Sequence, residues 1–303
     1  MSRRILLFGA GGFLGGHLLR AAPNHPEWTI IPCFHSFRPP EFQDALCVDL
    51  TSSVAIHEVV QTASPEVVVN LTCLPVSTCE KAPALAQALQ VEGTAALAGF
   101  VQPDCRIVHL STDMVFSGNK GTPYGPTDKP DPVSVYGRTK WEGEQRLASV
   151  HKNSVILRSA LQIGPASFRP AGFLQWILEN GEADRPMTLF SDQWRTPIVV
   201  GDMVEAIFRL ADSDYCGILP AGGDTAVNRV MMGAWLLSSM GKPLDLIRST
   251  LLSDFRSEVP LQRDLCMDNT LFKEKSGLSL MDLKNYIESV GLAWRKRHEN
   301  QND

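Results

Sequence analysis

Tyr136 and Lys140 stand four residues apart, a spacing that puts both side chains on one face of a helix, one turn from each other. An ammonium held near a phenol favours the phenolate and lowers the phenol pKa from its reference near ~10. Such a pair can pass a proton near neutral pH, which carbonyl–alcohol interconversion requires. A second polar set, Ser111-Thr112-Asp113, follows directly on the apolar run Arg106-Ile107-Val108-His109-Leu110. In open parallel sheets ligands gather beyond the carboxyl ends of the strands. A tyrosine and a lysine at this spacing also fit a solvated helix surface. The elements around them decide between the two readings.

Arg4 to Phe8 reads as a buried parallel strand that ends at Gly9. Gly9, Gly12 and Gly15 then satisfy G-x-x-G-x-x-G, while G-x-G-x-x-G fails because position 14 is Leu. The run continues into His17-Leu18-Leu19-Arg20, which can be helical. Glycines permit a tight turn and close backbone approach, and a helix N-terminus presents free N–H groups to a pyrophosphate. Trp28 to Phe34 is the second strand. Phe34, His35, Ser36, Phe37 and Arg38 at its end include no acid to accept from a ribose 2′-OH. Arg38 can instead pair with a 2′-phosphate, so NADP(H) is expected over NAD(H). A third strand, Ala45 to Val48, ends at Asp49, placed to accept from an adenine amino group.

Val54 to Thr62 and Pro83 to Phe100 suit helices, and Glu66 to Leu71 is a β-branched buried strand. The fifth strand delivers Ser111, Thr112 and Asp113, and a proline-rich loop from Asn119 to Pro132 leads to the Tyr136 helix. Within that strand His109 reads as a satisfied core histidine. Ser154 to Leu157 is the sixth strand. This alternation predicts an α/β fold, a Rossmann-type doubly wound parallel sheet over residues 1–160. From 161 to 303 the rhythm loosens into a smaller C-terminal substrate-binding lobe that returns in part to the first domain. Its pieces are helices over Phe173–Glu179, Asp202–Leu210 with Asp202 as N-cap, Val227–Met240, Asn269–Lys275 and Met281–Val290, and a strand over Met187–Phe190. Arg195 could clamp a substrate phosphate or pair with Asp192.

The 303 residues are 44% hydrophobic and 20% charged with a net charge of −5, which offers no basic field for nucleic acid or anionic membrane. No apolar run approaches the ~20 residues of a membrane helix. The seven cysteines are scattered without a CxxC pair or Cys/His cluster. Reduced thiols, a cytoplasmic setting and no metal site are the expectation.

Taken together, Gly9-x-x-Gly12-x-x-Gly15, Ser111-Thr112-Asp113 and Tyr136-x-x-x-Lys140 resemble the extended short-chain dehydrogenase/reductases. Within them Ser111 to Gly118, Tyr136 to Lys140, Asp192-Gln193 and the Arg263…Leu265…Asp268 stretch are similar to dTDP-4-dehydrorhamnose reductases. The resemblance implies an NADPH-dependent reductase of a 4-keto group on a nucleotide-linked deoxysugar. Tyr136 would be the general acid, Lys140 would hold the nicotinamide ribose, and Thr112 would bond the substrate carbonyl. The implied cofactor set is Gly9, Gly12, Phe13, Leu14, Gly15, His35, Ser36, Arg38, Asp49, Leu50, Leu71, Thr72, Tyr136 and Lys140. The implied substrate set is Thr112, Asp113, Met114, Leu161, Arg195 and Arg263. Family members are often homodimers, which sets the same expectation here.

The chain departs from those reductases at several points: Met114 replaces their Tyr, Leu71-Thr72 their Ala-Ala, Gln90 their helix Asn, Leu161 their Trp and Gly172 a further Asn. Similar motifs also resemble the regulatory β-subunit of methionine adenosyltransferase, a non-catalytic NADP(H)-binding alternative. Epimerisation or dehydration is a third reading. Thr112 is followed by Asp113-Met114 rather than by two acids, and no acid follows the second strand, which count against it.

Overall fold

The computed structural model describes residues 2–168 and 172–299. Strands β1 (Arg3–Phe8), β2 (Trp28–Phe34), β3 (Leu46–Cys47), β4 (Val67–Asn70), β5 (Arg106–Thr112) and β6 (Ser154–Ser159) join the strand Gly217–Ala221 in one sheet. The spatial order is Gly217–Ala221, β6, β5, β4, β1, β2, β3, and every pairing is parallel. The order reverses between β1 and β4, which opens a crevice at their carboxyl ends. This is the doubly wound α/β sheet expected from the sequence.

Alternation along β1 sends Ile5 and Leu7 into one layer and Leu6 and Phe8 into the other. On the first side α1 (Phe13–Ala21) and α8 (Val200–Ala211) cover the sheet; on the second α2 (Ser53–Ala63), α5 (Gly93–Phe100) and α6 (Val135–Val150) do. A third apolar cluster joins α7 (Phe173–Glu182), α9 (Arg229–Met240) and α11 (Leu283–Glu299) with strand Met187–Phe190. Beyond Ala160 the chain therefore serves two cores. Residues of α8, Gly217–Ala221 and α10 (Thr270–Ser276) pack with the sheet, and α7, α9 and α11 build their own.

Several elements differ from the sequence expectation. The helix over Pro83–Phe100 is three pieces: α4 (Pro83–Gln87), a π turn over Ala88–Glu92, and α5. The wide turn coincides with Gln90, whose amide donates 2.6 Å to Thr139 on α6. A helix α3 (Val76–Lys81) precedes it; its Ser, Thr and Cys have low helical preference, and Pro75 at its N-cap reads as a loop signal. Asp202 does not cap α8. The helix begins at Val200 behind Val199, and an Asp202 carboxylate oxygen accepts from Met281 N at 2.9 Å. The expected Val227 start also shifts: Asn228 is the N-cap of α9, accepting from Met231 N at 2.9 Å, and Val227–Asn228 pairs antiparallel with Trp194–Arg195.

Candidate active site

The site begins at the turn between β1 and α1. Gly9 has φ +83°, and a Cβ on Gly15 would run into the Gly9 carbonyl oxygen, so α1 starts hard against the turn. Gly12 occupies its N-cap with no side chain accepting from the first-turn amides. Those N–H groups and the helix dipole are left for an anion, and a dinucleotide pyrophosphate fits the cradle.

A groove of about 420 Å³ runs from this turn across β2 and β4, and includes His35, Ser36, Asp49, Leu50, Leu71 and Thr72 in its wall. An Asp49 carboxylate oxygen accepts 2.8 Å bonds from Thr51 N and Oγ1, which holds its pKa below the usual range. Thr72 is tied in turn to Asn70 Oδ1 through N (3.1 Å) and Oγ1 (2.6 Å). Arg38 is not in this wall. Its guanidinium donates to Gln43 O at 2.7 Å and Ala45 O at 2.9 Å, folded onto its own loop.

A second cleft of about 580 Å³ adjoins the groove and shares Gly9, Gly12, Leu71, Cys73, Leu74 and Pro75 with it. Phe13, Leu14 and Gly15 line it on the α1 side, and Thr112, Asp113, Met114, Tyr136 and Leu161 at the sheet end. Tyr136 reaches that wall because α6 is anchored at its start. Ser134 accepts from Gly137 N at 3.0 Å, and a Glu80 carboxylate oxygen accepts from Val135 N at 2.6 Å. A Cβ on Gly137 would strike the Met114 carbonyl oxygen, so this helix end lies against the chain leaving β5.

Burial raises the Tyr136 phenol well above its ordinary pKa; Cys73 and Asp113 push the same way, and a hydrogen bond from Thr112 opposes them. The phenolate-favouring effect expected of Lys140 is overturned. Lys140, 2% exposed, directs its ammonium to the Leu110 carbonyl oxygen at the end of β5. Burial lowers its own pKa. His109 is corrected as well: it is buried, but neither ring nitrogen has a partner. Burial and the charge of Lys140 hold its pKa well below the usual value.

Beneath these groups the Glu144 carboxylate accepts from Ser111 Oγ and pairs with Arg158, Nη2 to Oε2 2.7 Å, with both side chains 3% exposed. This fixes the end of β5 against α6 from below.

Arg195 pairs with Asp113 rather than Asp192. Its Nε lies 3.6 Å from Asp113 Oδ2, while an Asp192 carboxylate oxygen accepts from Leu252 N at 2.9 Å. The rest of its guanidinium donates to carbonyl oxygens of Trp194 (2.7 Å), Gln262 (3.1 Å) and Arg263 (3.4 Å). Arg263 itself is exposed and outside the cleft wall. Cys73, Arg229 and Gln262 line the cleft without having been assigned to it from the sequence, and Gln193 had entered only through the likeness of Asp192-Gln193 to the reductases. Arg229 left a local trace, as a charge directly behind an Asn that can cap an apolar helix. Among the described residues no group of three or more His, Cys, Asp and Glu could hold a metal ion.

With this geometry fixed, comparison with known proteins is decisive for the family. Residues 3–292 match the family model described as RmlD substrate binding domain. The chain belongs to that family. It is an extended short-chain dehydrogenase/reductase of the dTDP-4-dehydrorhamnose reductase type. A probable low-salt glycan biosynthesis reductase of Haloferax volcanii is 26% identical over 290 residues, covering 94% of this chain and 96% of the relative. A dTDP-4-dehydrorhamnose reductase of Mycobacterium tuberculosis is 28% identical over 273 residues, covering 86% and 83%. The solved dTDP-4-dehydrorhamnose reductase of Bacillus anthracis, in complex with NADP, superposes with a TM-score of 0.84 at 21% identity, over 95% of this chain and 98% of that one. At that identity the structural likeness speaks to the fold.

Proposed function

We propose that the protein is an NADPH-dependent reductase of a keto group, the 4-keto group of a nucleotide-linked deoxysugar, with Tyr136 as general acid. The observation that carries this reading is the junction of the two clefts: Thr112 and Tyr136 stand in the wall of the second, which shares Leu71, Cys73, Leu74 and Pro75 with the first. A dinucleotide along the first groove and a ketone in the second would meet there. The cofactor supplies the hydride.

The chain supplies position and proton. The Thr112 hydroxyl, 6% exposed and donating to Asp113 Oδ1 at 3.1 Å, would turn its proton to the substrate carbonyl oxygen and hold it beside Tyr136. Negative charge that develops on that oxygen is met by two hydroxyl donors in a site of low polarity. A phenol raised above its usual range carries its proton at neutral pH, as a donor in the reductive direction must. Tyr136 Oη gives that proton to the developing alkoxide. Lys140, anchored on Leu110 O, would hold the nicotinamide ribose.

The test is NADPH consumption against a panel of nucleotide-linked 4-keto-6-deoxysugars, wild type beside Tyr136→Phe. Consumption by the wild type alone supports the reductase and names the sugar. Tight NADPH binding without consumption across the panel, or turnover retained in Tyr136→Phe, overturns it. The proposed setting is the cytoplasm, in which free thiols stay reduced. Size exclusion with light scattering tests the homodimer expectation.

A further inference from the structure

The cleft wall opposite Tyr136 contains donors with nothing to donate to. Arg229, the first residue of α9, gives its Nε to Gln193 Oε1 at 3.3 Å, and its guanidinium carbon lies 4.3 Å above the Phe173 ring centre. These two contacts fix the plane of the group. Its Nη1 is buried without a partner, and so is Nε2 of Gln262, a residue 2% exposed. Both residues line the same cleft as Thr112 and Tyr136. Gln193 joins them, since its Nε2 donates to Gln262 O at 3.4 Å.

The charges here do not cancel. Asp113 is the carboxylate that pairs with Arg195. Burial and then repulsion by Arg195 bring the Arg229 pKa down to about 10, against the attraction of that same Asp113. Two guanidiniums thus share one carboxylate. Arg195 is already spent on Asp113 and three carbonyl oxygens, and Arg263 lies outside the cleft. The available cationic fork is Arg229. Buried unpartnered donors cost stability in the empty site and recover it when an acceptor arrives.

We infer that Arg229, assisted by the side-chain amide of Gln262, binds an anionic oxygen group of the substrate, a phosphate or a carboxylate, and selects for substrates that carry one. The identity of the anion's carrier rests on the reductase reading above; the anion site rests on these side chains. A planar guanidinium donates to two oxygens of either group, so the experiment separates the two sources.

Isothermal titration of the full chain loaded with NADPH uses dTDP as the diphosphate probe and glucuronate as the carboxylate probe, with thymidine and glucose as neutral controls. Wild type is expected to bind one anionic probe well above its neutral control, and the tighter of the two names the source. Arg229→Met should weaken that binding by about 10- to 100-fold, the range for a hydrogen bond to a charged group. Arg229→Lys should show an intermediate loss, Gln262→Leu a loss of about threefold to tenfold, and NADPH affinity should hold in every variant. Anionic and neutral probes bound alike, or affinity unchanged in Arg229→Met, overturns the site. If Arg229→Met does not fold, unchanged affinity in both Arg229→Lys and Gln262→Leu does so. Because no turnover is read, a failed reductase panel leaves this result standing, and failure here leaves the panel intact.

Discussion

Arg195 Nε lies 3.6 Å from the carboxylate of Asp113, and the two side chains are 7% and 8% exposed. This contact ties the end of β5 to the polypeptide that follows strand Met187–Phe190. Burial raises the Asp113 pKa even with the guanidinium beside it, so desolvation outweighs the attraction and the ionised pair is held at a cost. Removal of one partner is more costly than the pair itself.

Arg195→Met is therefore expected to destabilise the fold by about 3–5 kcal/mol at neutral pH. The loss should depend on pH in a definite direction. A carboxyl with a raised folded pKa has its favourable contribution below the unfolded value near ~3.9 and loses it as pH rises toward the folded value. Without Arg195 the folded pKa rises further, so the penalty should be smaller at pH 4 than at pH 8. Urea melts of both proteins at the two pH values measure this. An equal penalty at both would mean that Asp113 does not feel Arg195.

Tyr136 makes a kinetic prediction. Its phenol is raised by burial, then by Cys73, with Thr112 opposing, and it stays protonated through the weakly alkaline range. Under the reductase reading kcat should not fall with pH before ~10, the ordinary phenol value. The pH–rate profile with the best panel substrate is the measurement. An alkaline limb near pH 7 to 8 that vanishes in Tyr136→Phe would require a lowered phenol pKa instead.

What the sequence disclosed is what lies close together along it. β1, its glycine turn and α1 form one continuous stretch, and the strand patterns of β4 and β5 need no distant partner to be read. Tyr136 and Lys140 share a helix face and follow Thr112 closely. The electrostatics between them were not legible, because Lys140 faces the Leu110 carbonyl and burial dominates the phenol. The far wall was less legible still. Arg229 and Gln262 come from separate segments, brought together by Gln193. The seventh sheet strand, Gly217–Ala221, contains Pro220, and proline argues against a strand until it is seen at the sheet's edge.

His109 supplies a stability test away from the proposed chemistry. Both ring nitrogens are buried without partners, and the pKa is depressed by burial and then by Lys140. A base with a depressed folded pKa contributes fully above the unfolded value near ~6.5 and loses that contribution as pH falls below it. His109→Leu should flatten the stability profile between about pH 6.5 and 5 relative to wild type. At pH 7.5 it should be neutral or stabilising by about 1 kcal/mol, since an unpaired polar group leaves the core. Chemical denaturation across that range decides. A destabilised variant with an unchanged slope would mean that a hidden partner satisfies the ring.

Glu144–Arg158 is a further buried ion pair, and its geometry differs from that of Asp113–Arg195. Arg158 Nε and Nη2 reach both carboxylate oxygens between 2.7 and 3.2 Å, and Ser111 Oγ donates to the same carboxylate. A carboxylate so fully hydrogen-bonded repays more of its desolvation than Asp113, whose guanidinium contact is longer at 3.6 Å. Arg158→Met should cost about 3–5 kcal/mol by stranding Glu144, and the double variant Glu144→Gln, Arg158→Met should recover a large part of that loss. The coupling energy of the double-mutant cycle, read from denaturation midpoints, is the measurement. Additive losses would mean that the two side chains pack independently. Because Ser111 adjoins Thr112 and Glu144 lies one turn from Lys140 on α6, the single variant should also lower turnover while leaving its own melt cooperative, and the double variant should regain stability without regaining rate.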